Sequence, residues 1–170
     1  GEVLGRHHTG WRAFGLWSPI KIYAYGQSSQ NIYATTIHEL AHASHYNMDK
    51  SDFKKTESKV KESWARGVQW ELTRMVYPDY KGGSTFRPQY TQVVVDMIDD
   101  SAPLNSYGST ININNGSENL NQDNVNGYTI RQIEDALKGQ RTWNGLRDNI
   151  KKRYNNETEE NLDILFDYWN

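Results

Sequence analysis

His38-Glu39-Leu40-Ala41-His42 is an H-E-x-x-H pentapeptide in a stretch that reads as a helix. Residues four apart on an α-helix lie one turn apart on one face, so His38 and His42 can offer two imidazoles to one metal ion. Glu39 projects about 100° further around the helix, beside such an ion rather than on it. That is where a general base must stand to take a proton from a metal-activated water.

Two imidazoles are not a complete site. Catalytic zinc takes three protein ligands and keeps one position open. Glu62 lies twenty positions after His42, inside a second helical stretch from Glu57 to Val76. It is the favoured third donor, because the metal otherwise lacks one. Glu57 is close by as an alternative. Lys59, Lys61 and Arg66 surround Glu62 in sequence, so a salt-bridged surface carboxylate competes with the ligand reading.

In this segment, roughly Ile20 to Tyr77 or about a third of the chain, the sequence resembles the gluzincin metallopeptidases, the thermolysin-like group of zincins. Their pattern is H-E-x-x-H followed about twenty residues later by a ligand Glu on the next helix. The resemblance implies Zn2+ held by His38, His42 and Glu62, with Glu39 as general base for hydrolysis of peptide bonds. It also implies a small sheet whose edge strand holds an extended substrate by main-chain hydrogen bonds, a role falling to the strand that begins at Ile20. The chain departs from the pattern at Arg66, where many gluzincins carry an Asp that orients a zinc histidine. A carboxylate behind a ligand imidazole is still expected, and Asp96, Asp99 and Asp100 are the candidates. A metzincin pattern fails, since it asks for Gly and His where this chain has His45 and Met48.

The elements that must position these residues follow from local signals. Ile20–Tyr25 alternates as a strand ending at Gly26. Ser28 or Ser29 caps a helix from about Gln30 to Tyr46, with an apolar stripe through Ile37, Leu40, Ala41 and Ser44. A turn at Asn47–Ser51 precedes the Glu62 helix, which carries Val60, Trp64, Val68 and Leu72 and stops before Pro78. The short connection favours antiparallel neighbours with Trp64, Val68 and Leu72 against Ile37, Leu40 and Ala41. A third helix starts near Pro88 and runs through Tyr90, Val93, Val94, Met97 and Ile98, with a strand as the alternative for the β-branched run Val93-Val94-Val95. Positions 101 to 126 are Asn-, Gly- and Ser-rich and read as a loop rimming a cleft, with a short strand at Ile111 and Ile113. Thr129 with Gln132 forms a capping box for a helix ending at Gly139. Thr142 caps a helix to Tyr154, and Thr158 caps the last one to Trp169. The first nineteen residues show no clear period.

Other conspicuous side chains have ordinary readings. His45 is read as a satisfied, partly buried histidine, and His7 and His8 as surface residues. Trp64 belongs to the core, Trp70 to a helix surface, and Trp11 and Trp17 to packing around the strand. A donor for the developing oxyanion must be a Tyr or Arg, since no His follows His45; Tyr77, Tyr80, Tyr90, Tyr107 and Tyr128 stand equally open.

Together these observations predict one domain over 1–170, mainly α with a small β component, of zincin-like metallopeptidase fold. The expected function is a zinc-dependent peptidase acting on a peptide or protein substrate, as a monomer. The alternative is a zincin-fold domain that binds peptide or glycan with little or no turnover. A net charge of −2 gives no electrostatic footprint for nucleic acid. The absence of Cys excludes disulfides and thiol ligands, and no apolar run reaches membrane-spanning length. The start at Gly1 reads as a boundary left by removal of a leader or upstream domain, with an extracytoplasmic or secreted location expected.

Overall fold

The computed structural model describes residues 5–7, 20–23, 25–80, 82, 89–98 and 124–170. Among these residues it is mainly helical with one small two-stranded sheet. Strand β1, Gly5–His7, pairs antiparallel with β2, Ile20–Ile22, with Arg6 opposite Lys21. β1 falls in the stretch that shows no period in the sequence. β2 is shorter than the alternation predicts, because the chain turns at Tyr25–Gly26, where Gly26 has φ 72°. Trp11, Trp17, His8, Pro88, Asp99, Asp100, Tyr107, Ile111, Ile113 and positions 101 to 123 lie outside the described residues.

Helix α1, Ser29–Met48, starts at Ser28, whose Oγ accepts from the Asn31 N–H at 3.2 Å. Helix α2, Ser58–Val76, ends before Pro78. A 3-10 turn, Phe53–Lys55, lies between them, just past the turn expected at Asn47–Ser51. The two helices run antiparallel. Tyr33 near the start of α1 packs edge-on against Tyr77 just past the end of α2 (5.7 Å between centroids), while His42 meets Glu62.

The connection between them is fastened to the C-terminal half of the chain. Asp52 pairs with Arg141, and the Asp49 carboxylate accepts from the Gly139 N–H at 2.7 Å. Glu57 accepts from the Trp143 N–H at 2.8 Å. These contacts fix where α2 begins, hence the height of Glu62 against α1.

Helix α3, Val93–Ile98, begins later than its apolar run suggests. Thr91 donates its hydroxyl to Ser63 Oγ at 2.8 Å and accepts weakly from the Val93 N–H, which holds residues before α3 out of the helix. Helices α4, Ile130–Leu137, α5, Trp143–Arg153, and α6, Leu162–Tyr168, complete the fold. The capping box at Thr129 and Gln132 is formed. Thr158 does not cap the last helix. Its hydroxyl is taken by Asn156 and Asn126, and a 3-10 turn, Glu159–Asn161, precedes α6 instead.

The main core gathers Val60, Trp64, Ala65 and Val68 of α2 with Ala41, Val93, Val94 and Met97, and with Ile133, Leu137, Leu146, Ile150, Leu162 and Phe166. Each large aliphatic side chain buried there contributes about 1.5–3 kcal/mol. A second, smaller cluster joins Ala34, Trp70, Tyr80 and Val95. Two expectations are corrected here. Leu40 is 48% exposed, because α1 turns Ala34, Ala41 and His45 inward, and Ser44 is exposed and donates to Glu134 at 2.9 Å. Trp70 is buried rather than on a helix surface, packed under Arg66 and against Gly82. Among the described residues, no helix is long and apolar enough to cross a membrane.

Candidate metal centre

The helical hairpin brings His38, His42 and Glu62 to one point. His38 Nε2 and His42 Nε2 are 3.2 Å apart, and Glu62 Oε2 lies 3.3 Å from the first and 3.2 Å from the second. Ligands bound at about 2.0–2.1 Å around a tetrahedral ion sit roughly 3.3–3.4 Å from one another. The three donors therefore form one face of a zinc-sized tetrahedron, and the group can hold a metal ion. Burial, reinforced by His42 and Arg66, outweighs the Glu62 hydrogen bond and lowers the His38 pKa, which favours the neutral imidazole that a metal requires. Burial alone would raise the Glu62 carboxyl, but hydrogen bonds with His38 and His42 hold it well below the usual carboxylate range.

Its competitors are occupied elsewhere. Glu57 is committed to the Trp143 N–H. Lys59 is bound to the carbonyls of Trp169 and Asn170, Lys61 lies over the Phe53 ring, and Arg66 stacks on Trp70 and Tyr90. Glu62 makes no ion pair with any of them.

Glu39 is 6% exposed and lines the same cleft, on the face of α1 turned toward β1. The cleft, of about 300 Å³, is lined by Gly5, Arg6, His38, Glu39, His42, Phe53, Lys61, Glu62 and Tyr90. Gly5 and Arg6 make β1, not β2, the strand bordering it. Tyr107 lies outside the described residues; among the described tyrosines that the sequence left open, Tyr90 is the one that lines the cleft. Its ring is 6.2 Å from that of His38, and it is held by Ser63, which binds Thr91, and by Arg66 against its face. Tyr80 and Tyr128 are buried away from it, their phenols pushed up to about 12 by burial. Tyr77 packs on Tyr33.

His45 stands outside the trio. It is fully buried and edge-on to Phe53 at 4.9 Å, and neither ring nitrogen has a hydrogen-bond partner among the described residues. The expectation of a satisfied histidine is thus corrected, and burial drives its pKa down to about 4. His42 Nδ1 is likewise buried with no hydrogen-bond partner among the described residues. Asp96 accepts from the Trp169 indole at 2.7 Å, tying α3 to the end of the chain.

Sequence reasoning did not single out Gly5, Arg6 or Phe53, and took Lys61 only as a salt-bridge partner for Glu62. The one available signal was the basic run around Phe53, Lys50 to Lys61, which reads as an ordinary solvated connection. In comparisons with known proteins, the chain matches no family model, no curated protein and no solved structure.

Proposed function

We propose that this chain is a zinc-dependent peptidase of zincin-like fold, close in plan to the gluzincins. The observation that carries the reading is the triangle of two imidazole nitrogens and one carboxylate oxygen, 3.2–3.3 Å on each edge, beside a second buried carboxylate in one cleft.

His38, His42 and Glu62 would hold the metal. When bound, zinc acts as a Lewis acid and makes water a competent nucleophile near neutral pH. Glu39 takes the proton of the attacking water and later delivers it to the leaving amine. Its low exposure keeps bulk water away from that carboxylate. Tyr90, at the wall next to His38, is the donor for negative charge developing on the carbonyl oxygen. β1 takes the edge-strand role that the resemblance assigns, with Gly5 leaving its backbone close to the cleft.

The test compares zinc-loaded wild type with Glu39→Gln on peptides from a digested, denatured protein, read by mass spectrometry. Wild type is expected to produce new termini, chelation to stop it, and Glu39→Gln to keep zinc but yield no products. Equal cleavage by both proteins refutes the role of Glu39. A zinc-loaded wild type that cleaves nothing leaves the chain as a metal-binding domain.

A further inference from the structure

We infer that the cleft selects peptides carrying a carboxylate beside the bond presented to the metal centre. This rests on the peptidase reading for the word substrate, but not for binding. The charges lining the cleft are Arg6, Lys61, Glu39 and Glu62. The two cations offset the two carboxylates. A divalent ion bound by His38, His42 and Glu62 would then leave an excess of two positive charges, in a chain whose formal net charge is −2. The basic character is therefore local to the cleft. A concave site with a net positive excess focuses its field on an incoming anion.

The surroundings point the same way. The Lys61 ammonium lies 5.3 Å from the centre of the Phe53 ring, which carries it at the rim. It makes no ion pair among the described residues, although Glu62 is its neighbour in the chain. Lys54, next to Phe53, is exposed and also unpaired among them. Each nearby acid in the α1–α2 connection is spent inward: Asp49 on the Gly139 N–H, Asp52 on Arg141 and Lys55, Glu57 on the Trp143 N–H. Across the cleft, Arg6 stands directly opposite Lys21 on the ribbon, and both are exposed. Like charges set opposite one another cost stability in a sheet. They find no counter-ion among the described residues, and Arg6 lines the cleft, where an anion on the ligand would offset its charge.

The carboxylate can be an acidic side chain or the free end of the peptide. Calorimetry on zinc-loaded Glu39→Gln separates the two. Three hexapeptides of one Ala/Phe sequence would be used: one with internal Glu, blocked at both ends; one with Gln in its place, also blocked; and the Gln peptide with a free C-terminal carboxylate. At least one carboxylate peptide is expected to bind about tenfold tighter than the blocked Gln peptide. That advantage should shrink severalfold when Arg6→Gln and Lys61→Met are added, with zinc content and circular dichroism unchanged. It should also fade at about 0.5 M salt, where screening is strong. An advantage confined to the free-ended peptide identifies the chain terminus; one confined to Glu identifies the side chain. Equal affinity for all three peptides, or an advantage untouched by the two substitutions, overturns the inference. Turnover by wild type separates this from the peptidase reading. Selective binding without hydrolysis of any peptide removes the peptidase and leaves the anion-selective cleft. Hydrolysis of Glu and Gln peptides at equal kcat/KM does the reverse.

Discussion

Gly5 lies against Glu39 with no space for a side chain between them. A Cβ on Gly5 would stand 2.9 Å from Glu39 Oε1 and 2.6 Å from Thr35 Cγ2. The backbone of β1 thereby forms a wall for the carboxylate read as the general base. Gly5→Ala must lift β1 or turn Glu39 aside. Misplacing a reacting group by about 1 Å can cost on the order of 100-fold in rate. The expected outcome is peptide hydrolysis lowered at least about tenfold, mainly in kcat, with zinc content unchanged. Steady-state kinetics of the zinc-loaded variant check it, and a near wild-type kcat would show that the wall does not hold the base.

One zinc per chain should stabilise the fold through His38, His42 and Glu62. A ligand that binds only the native state adds about 2.7 kcal/mol at a concentration a hundred times its Kd. For a chain of this length that is roughly 5–10 °C in Tm. Glu62→Gln keeps a hydrogen-bonding side chain at the vertex but removes the anionic ligand, and His42→Ala removes a donor outright. Both should abolish most of the zinc-dependent rise in Tm while the metal-free Tm changes less. Scanning calorimetry with and without zinc decides it; a full zinc shift in Glu62→Gln would move the third ligand elsewhere.

His45 offers a test of pH dependence that does not need the metal. Its folded pKa is about 4, against an unfolded value near 6.5. Between these values the unfolded chain takes up a proton that the folded chain refuses. The neutral, buried ring therefore costs nothing above about pH 6.5, and stability is lost progressively as pH falls toward 4, by up to about 3 kcal/mol. Because neither ring nitrogen has a hydrogen-bond partner among the described residues, His45→Leu forfeits no polar contact with them. In metal-free protein the variant should match wild type at pH 7.5 within about 1 kcal/mol and exceed it at pH 5. Urea unfolding at the two pH values measures this. A wild-type minus variant difference that does not change with pH would mean His45 is protonated in the folded state.

How far the sequence could be read depended on whether a signal was local. The α1 start at Ser28, the capping box at Thr129 and the stop at Gly139 depend on a few adjacent residues, and all are present. The approach of His38, His42 and Glu62 was legible because helix period and a short antiparallel connection leave little else to decide. Leu40 misled because hydropathy favours Leu over Ala, whereas a close helix pair wants the small side chains of Ala34 and Ala41 inside. Trp70 misled because Gln69 and Glu71 beside it are polar, and what covers it, Arg66 and Gly82, comes from packing. β1 was invisible: three residues carry no period, and the value of Gly5 lies in contact with a residue 34 positions away. The cationic rim was hidden for the same reason, since nothing local to Asp52 or Glu57 says they will be spent on Arg141 and Trp143.

The last prediction concerns the contact that sets α3, and with it Tyr90, against α2. A Cβ on Gly67 would lie 2.2 Å from Val94 Cγ1 and 2.3 Å from Val94 Cβ. Both residues are buried, Val94 at 1% exposure, so the extra methyl cannot turn toward solvent. In an open helix Gly→Ala would be favourable by about 1 kcal/mol. Here overpacking should reverse the sign and cost about 1–3 kcal/mol. Val94→Gly removes both Cγ1 and Cβ, the atoms in the way, but leaves a cavity and a helix-weakening glycine of its own. In Gly67→Ala/Val94→Gly the new methyl occupies part of that space, and the helix-propensity gain is recovered. The double variant should therefore be more stable than the sum of the single losses predicts, by about 1 kcal/mol or more. A double-mutant cycle by chemical denaturation measures the coupling. Additive effects, or a stabilised Gly67→Ala, would mean that α2 and α3 are further apart than this contact requires and that Tyr90 is not held at the cleft by their packing.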